Sequence, residues 1–251
     1  MRAHVDHAEG GRVTESVLRA RGLTRRYGRG SGMVRAVDEV DLSVPAGESL
    51  AIMGPSGCGK STLLHLLGGL QRPTAGRVWL AGRRLDTMSE RSLARLRRDS
   101  VGFVFQSFHL MDELTAVENV ELAALLAGRS PRQARRRAGY LLDRVGLADR
   151  ADHLPSALSG GQRQRVAVAR ALSNEPLVVL ADEPTGNLDS AATLEILRLF
   201  EDLRTEGQTL VVVTHDSRIA AIADRMITMR DGAFADDSRL AVTAPVHGGW
   251  R

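Results

Sequence analysis

The chain has 251 residues and a formal net charge of +4, with 43% hydrophobic and 25% charged residues. That profile is ordinary for a globular protein, and the length fits one domain with an elaboration better than two independent ones. One cysteine excludes an internal disulfide and suits a reducing cytosol, and no apolar run approaches the ~18 residues of a membrane span.

Thirty acidic residues are interspersed among 34 lysines and arginines, so no polyanion is singled out and no nucleic-acid partner is expected. Residues 1–15 lack the apolar core of a signal peptide and read as a disordered polar tail; His4 and His7 there do not suggest a metal. A strand is predicted from Ser16 to Gly22 and an alternating one from Val34 to Val44, a β-rich opening. The apolar run Ser49–Met53 reads as a buried strand, followed by a glycine-rich turn and a helix over Lys60–Leu70. A strand at Arg77–Ala81, a basic helix at Ser89–Arg98 with Ser89 as N-cap, and a strand at Val101–Phe105 come next. From Ser107 to about Leu158 only helical periodicity appears, at Thr115–Ala127 and Pro131–Val145; within it Arg135-Arg136-Arg137 reads as a solvated helix face. Helices at Gly160–Ser173, Ser190–Arg204 and Ser217–Ala223 then alternate with strands at Leu177–Ala181 and Thr209–Thr214. A hairpin follows at Arg225–Met229 and Ala233–Asp236.

The turn at 54–62 is Gly54-Pro55-Ser56-Gly57-Cys58-Gly59-Lys60-Ser61-Thr62, the P-loop pattern GxxxxGK[ST] between a strand and a helix. Glycines let successive backbone N–H groups curl around phosphate oxygens, and the helix start adds its positive end. Lys60 supplies an ammonium between the β- and γ-phosphates, and the Ser61 hydroxyl is suited to ligate Mg²⁺. Lys60 is also the only lysine in the chain; all the other basic residues are arginine. A compact charge is retained where a broad guanidinium would not enter a phosphate nest. These residues predict a nucleoside triphosphate site.

Leu177-Val-Val-Leu-Ala-Asp182-Glu183 delivers two carboxylates at the C-terminal end of a strand, where open α/β sheets bind ligands. Asp182 matches a carboxylate that supports Mg²⁺, and Glu183 is placed to polarise an attacking water. Ser159-Gly160-Gly161-Gln162 opens a helix with a capping residue and two glycines, a second anion site.

Taken together, the P-loop, Leu158-Ser-Gly-Gly-Gln162 and the Asp182-Glu183 pair resemble the ATP-binding cassette (ABC) family, over Ser16 to Asp236. The resemblance implies an α/β fold, a P-loop NTPase core with an antiparallel β subdomain and an inserted α-helical subdomain. The domain would span 16–236, with its helical part at about 107–160 and a C-terminal tail at 237–251. By the same resemblance Tyr27 stacks on adenine, Gln106 touches Mg²⁺ or water and senses the membrane partner, Leu188-Asp189 is the D-loop, and His215 contacts the γ-phosphate. Two copies would sandwich two ATP, each held by the P-loop of one and Ser159–Gln162 of the other. ATP closes the pair, and hydrolysis with Glu183 as base reopens it. The implied partners are a second copy of the chain and an integral-membrane permease on a separate chain, placing the subunit in the cytoplasm, peripheral on the inner face of the cell membrane. Gly102–Leu110, Leu114–Val120 and Glu183–Asp189 resemble the branch of lipoprotein-release, macrolide-export and cell-division ATPases, which implies export or extracytoplasmic mechanotransmission. Met111-Asp-Glu113 departs from that branch, placing acids where members often have a leucine-proline turn. A translation-factor cassette would carry two P-loops, and a chromosome or repair ATPase long coiled-coil heptads; neither is present. An iron–sulfur assembly cassette stays open on length alone.

Overall fold

The computed structural model describes residues 16–28 and 30–240; the tail expected at 1–15 and the part beyond 240 of the tail expected at 237–251 lie outside them. The chain opens with strands β1 (Ser16–Tyr27), β2 (Val34–Pro45) and β3 (Ser49–Met53), then helix α1 (Lys60–Leu67). Strands β4 (Ala75–Leu80) and β5 (Arg83–Arg84), helix α2 (Glu90–Ser100) and strand β6 (Val101–Phe105) follow. Three helices come next without a strand: α3 (Ala116–Leu126), α4 (Pro131–Arg144) and α5 (Gly160–Ala171). The remainder is β7 (Val178–Asp182), α6 (Ser190–Thr205), β8 (Leu210–Thr214), α7 (Ser217–Ala221), β9 (Arg225–Arg230) and β10 (Ala233–Arg239).

The strands form two sheets. One is antiparallel in the order β2-β1-β4-β5; the other runs β10-β9-β3-β8-β7-β6, parallel except for β10. The alternation of side chains along each parallel strand divides the core in two. Val178, Leu180, Val211 and Val213 join Leu50, Ile52, α1 and the antiparallel sheet in one cluster. Val179, Ala181, Leu210 and Val212 face the other way, onto Val117, Leu141, Val166 and Phe200 of the helical side. Both faces are covered, which explains why these strands read as continuous apolar runs rather than alternating ones.

Most element ends shift by a residue or two from expectation, and three of the shifts have a clear physical reason. β1 continues past Gly22 to Tyr27 because a register shift between Ala20 and Leu23 absorbs the left-handed Gly22 (φ 54°) and pairing resumes. Helix α1 stops at Leu67 rather than Leu70: Gly69 is left-handed (φ 66°), and the Leu70 N–H turns back to the His65 carbonyl at 2.8 Å. β10 runs three residues past Asp236, where Asp237 takes both Nε and Nη2 of Arg225 at 2.7 and 2.6 Å.

The far end of the loop between β6 and α3 is tied to the helical layer by one buried side chain. Asn119 accepts the Met111 N–H at 2.8 Å and donates to the carbonyls of Met111, Leu114 and Thr115 at 3.1, 2.9 and 3.0 Å. Replacing it by alanine strands these main-chain groups. Asn119→Ala is therefore expected to cost about 2 kcal/mol of stability in urea unfolding; an unchanged midpoint would show that these four bonds add nothing to stability.

Candidate active site

The loop after β3 is built by close approach. Gly59 sits at φ 105°, and a Cβ there would run into the Ala36 carbonyl of β2; at Gly54 it would run into the Met229 carbonyl of β9. Neighbouring strands thus fold the loop tightly onto α1, while Pro55, Ser56 and Gly57 stay exposed, and the Cys58 thiol is buried beneath them.

Helix α1 begins differently from the others. Ser89, Thr115, Ser130, Ser159, Asp189 and Asp216 each accept a first-turn amide of α2 to α7, but Gly59 caps α1 with no side chain. The opening amides of α1 are left to an external acceptor. An anion fits there.

Lys60 is 6% exposed, and its Nζ donates to the Gly54 and Pro55 carbonyls at 2.8 and 3.1 Å. The same ammonium lies 3.7 Å from Glu183 Oε1. Ser61 donates its hydroxyl to Asp182 Oδ1 at 2.8 Å. Burial pushes the Asp182 carboxyl up; the Ser61 hydrogen bond, His65 (Nε2 4.0 Å away) and Lys60 pull it down, while Glu183 adds to the rise. A half-buried carboxylate beside the hydroxyl that donates to it is a hard-oxygen pair that fits a divalent cation with most of its shell left to water and phosphate.

Glu183 stands just past β7 with φ 45°, an uncommon conformation for a non-glycine residue, and its N–H donates to the Val213 carbonyl at 2.9 Å. Its Oε2 accepts from the His215 N–H at 3.2 Å and lies 2.9 Å from His215 Nδ1. A carboxylate only accepts, so Nδ1 carries the proton and Nε2 is left to the solvent side of this exposed ring. Lys60, Ser61, Asp182, Glu183 and His215 are thereby brought into one bonded group.

Other expected site residues are placed apart from it. The Gln106 amide donates to Asn187 Oδ1 at 3.1 Å, and Asn187 returns a bond to the Gln106 carbonyl at 3.1 Å. The Tyr27 hydroxyl donates to Gln71 at 2.5 Å, with the Arg25 guanidinium 4.7 Å from the ring centre. Ser159 accepts the Gln162 N–H at 3.2 Å while Gln162 Oε1 takes the Ser159 N–H at 2.9 Å. Gly161 is buried where a Cβ would sit 2.6 Å from that of Ala192, so α5 and α6 meet at this glycine. Among the described residues no hydrogen bond links Ser159, Gly160, Gly161 or Gln162 to the loop at 54–62. Sequence reasoning missed His65 and Asn187 as neighbours of the site. A signal for His65 was present: it is the one polar side chain in Leu63-Leu-His-Leu-Leu67.

A protein-family model described as ABC transporter matches residues 37–186. The macrolide export ATP-binding/permease protein MacB of Agrobacterium fabrum is 47% identical over 248 residues, covering 95% of this chain and 38% of that protein. Its counterpart in Rhodopseudomonas palustris (strain BisB18) is 46% identical over 93% of this chain and 36% of its own length. The chain thus spans little more than a third of these curated relatives. Among solved structures, the ATP-binding cassette MJ0796, in a dimeric post-hydrolysis state bound to ADP and Pi, superposes with a TM-score of 0.83 at 40% identity, over 90% of this chain and 99% of that one. CbiO1 of Clostridium perfringens, part of the ABC transporter complex CbiONQ, gives 0.79 at 30% identity, over 90% and 89%. The chain belongs to the ABC transporter family, and what it carries is the ATP-binding, ATP-hydrolysing cassette. No helix among the described residues is long and apolar enough to cross a membrane.

The glycine geometry yields a graded expectation. Gly59→Ala combines a left-handed φ with a main-chain collision, whereas Gly57→Ala (φ 81°) meets open space. Gly57→Ala should lose about 1 kcal/mol and Gly59→Ala distinctly more, read as midpoints of thermal unfolding; equal losses would contradict the close packing of the loop on β2.

Proposed function

We propose that this cassette binds MgATP through the loop at 54–62 and couples its hydrolysis to a membrane permease. The observation that carries the reading is the convergence of Lys60, Ser61, Asp182, Glu183 and His215 within bonding distance at the end of one parallel sheet. Gly54, Pro55, Ser56, Gly57, Cys58, Gly59 and Thr62 shape the phosphate cradle, and Lys60 turns its ammonium from the loop carbonyls to the β- and γ-phosphates. Ser61 and Asp182 would hold Mg²⁺, joined by Gln106 once its amide leaves Asn187. The ion's contribution is to neutralise developing charge on the phosphate oxygens. Glu183 takes a proton from the attacking water; His215 orients that carboxylate through Nδ1–H, and in its doubly protonated form would donate Nε2–H to the γ-phosphate. Tyr27 offers a ring for adenine after Arg25 swings off its face.

Ser159, Gly160, Gly161 and Gln162 complete the site of a second copy, so the active form is a homodimer closed by two ATP. A chain with its own phosphate cradle and its own signature segment, not joined to one another, supports this. One domain over 16–236, with a helical part at about 107–160, would act as the unit that moves. The permease sits on a separate chain, and the cassette is cytoplasmic, peripheral on the inner face of the membrane, serving export or extracytoplasmic mechanotransmission. A second reading joins the two parts in one polypeptide, because the MacB relatives are named as combined ATP-binding/permease proteins.

Glu183→Gln is expected to keep ATP affinity and lose about 100-fold or more in turnover. ATP-loaded Glu183→Gln protein, gently solubilised from native membranes and pulled down, should bring a permease with a large external domain. Undiminished hydrolysis would refute the role of Glu183, and a wholly soluble partner set would refute the coupling to transport.

A further inference from the structure

Two consecutive non-glycine residues, Phe108 and His109, are left-handed, with φ of 60° and 49°. They lie two and three residues after Gln106, in the loop whose far end Asn119 anchors. Adjacent left-handed residues are unfavourable by about 1 kcal/mol or more each and persist only where surrounding structure holds them.

Two turn bonds, from the Phe108 N–H to the Phe105 carbonyl and from the His109 N–H to the Ser107 carbonyl, leave both of the pair's own carbonyls to be held from α5. Arg170 donates Nη2 to the Phe108 carbonyl at 2.8 Å and Nη1 to the His109 carbonyl. It has no acidic partner among the described residues, and burial pushes its guanidinium down. A half-buried arginine with no counter-ion, its fork spent on two carbonyls, is an unusual use of charge in a chain with many exposed arginines. Two turns earlier on the same helix, Arg163 lays its guanidinium 5.1 Å from the centre of the Phe108 ring. Between them Gln164, fully buried, donates to the Pro184 carbonyl at 2.8 Å, in the segment just after Glu183. The helix that begins at Ser159–Gln162 is thus bonded at its far end to the loop of Gln106 and at its middle to the loop of Glu183.

We propose that Arg170 is a positioning residue. It locks Phe108 and His109 left-handed, so that Gln106 follows any shift of α5 and reaches the metal and water only when the Ser159 end of that helix is engaged. The inference rests on the proposed function for its consequence in catalysis, while the clamp itself stands on geometry alone. A lysine at 170 keeps the charge but loses the two-pronged fork, so Arg170→Lys retains the fold and loosens the loop.

The test uses the full chain and two readouts. Amide hydrogen exchange at Phe108 and His109 should accelerate in Arg170→Lys while exchange in β3, β7 and β8 is unchanged; equal exchange at the loop overturns the clamp whatever the activity. In steady-state hydrolysis Arg170→Lys should lower kcat by about 10-fold or more at unchanged KM. Added to Gln106→Ala, it should produce less than about a twofold further loss, since both act through one side chain. Full additivity would mean that Arg170 supports the fold without positioning Gln106. Hydrolysis that survives in Glu183→Gln would instead sink the proposed function, leaving the exchange result to judge the clamp.

Discussion

The register of the parallel sheet is the constraint on which the site depends. Phe105 pairs with Asp182, Asp182 with Val213, and Met53 with Thr214, so β6 and β7 end together and β8 and β3 end together one residue further on. Gln106, Glu183, His215 and Gly54 are each the next residue after those ends. A slip by one residue in any pair would turn apolar side chains from one core to the other and take one of these residues out of the line. The burial of both faces of these strands is what makes such a slip expensive, so the core and the chemistry are enforced by the same contacts.

Helix caps carry a second division of labour. Six helices satisfy their first turn with their own side chains; α1 does not, and glycine at its N-cap leaves the amides open where β3 delivers the loop. Lys60 meanwhile sits on loop carbonyls and near Glu183, interactions that a phosphate would replace with stronger ones. Asp182 lies half-buried at the same spot, where desolvation pushes its carboxyl up.

Helix α5 gives the molecule its connectivity. Its N-terminus presents Ser159 and Gly160 at the surface, its flank meets α6 at Gly161, and its later turns reach the loops of Glu183 and Gln106. Asn187 then joins the Gln106 loop to the segment leading into α6. A rigid rod bonded to both loops is a physical route by which events at one end of the helix are felt at the other.

Much of this was legible in the amino-acid order. The glycines and lysine of 54–62, the apolar strand ending in Asp182-Glu183, and the Ser159–Gln162 helix start are local patterns, because phosphate binding, strand burial and capping each need particular residues within a few positions. The alternation of strands and helices and the helical insertion were readable for the same reason. Bounds failed where a long-range contact overrode local preference: β1 passed through Gly22 because its partner strands continue, and β10 reached Arg239 because Asp237 meets Arg225. Only the tertiary structure decided which distant groups touch. Nothing near Arg170 in sequence announces the carbonyls of Phe108 and His109, and nothing near Gln106 announces Asn187, since hydrogen bonds between loops depend on where the sheet and helices set them, not on neighbours along the chain.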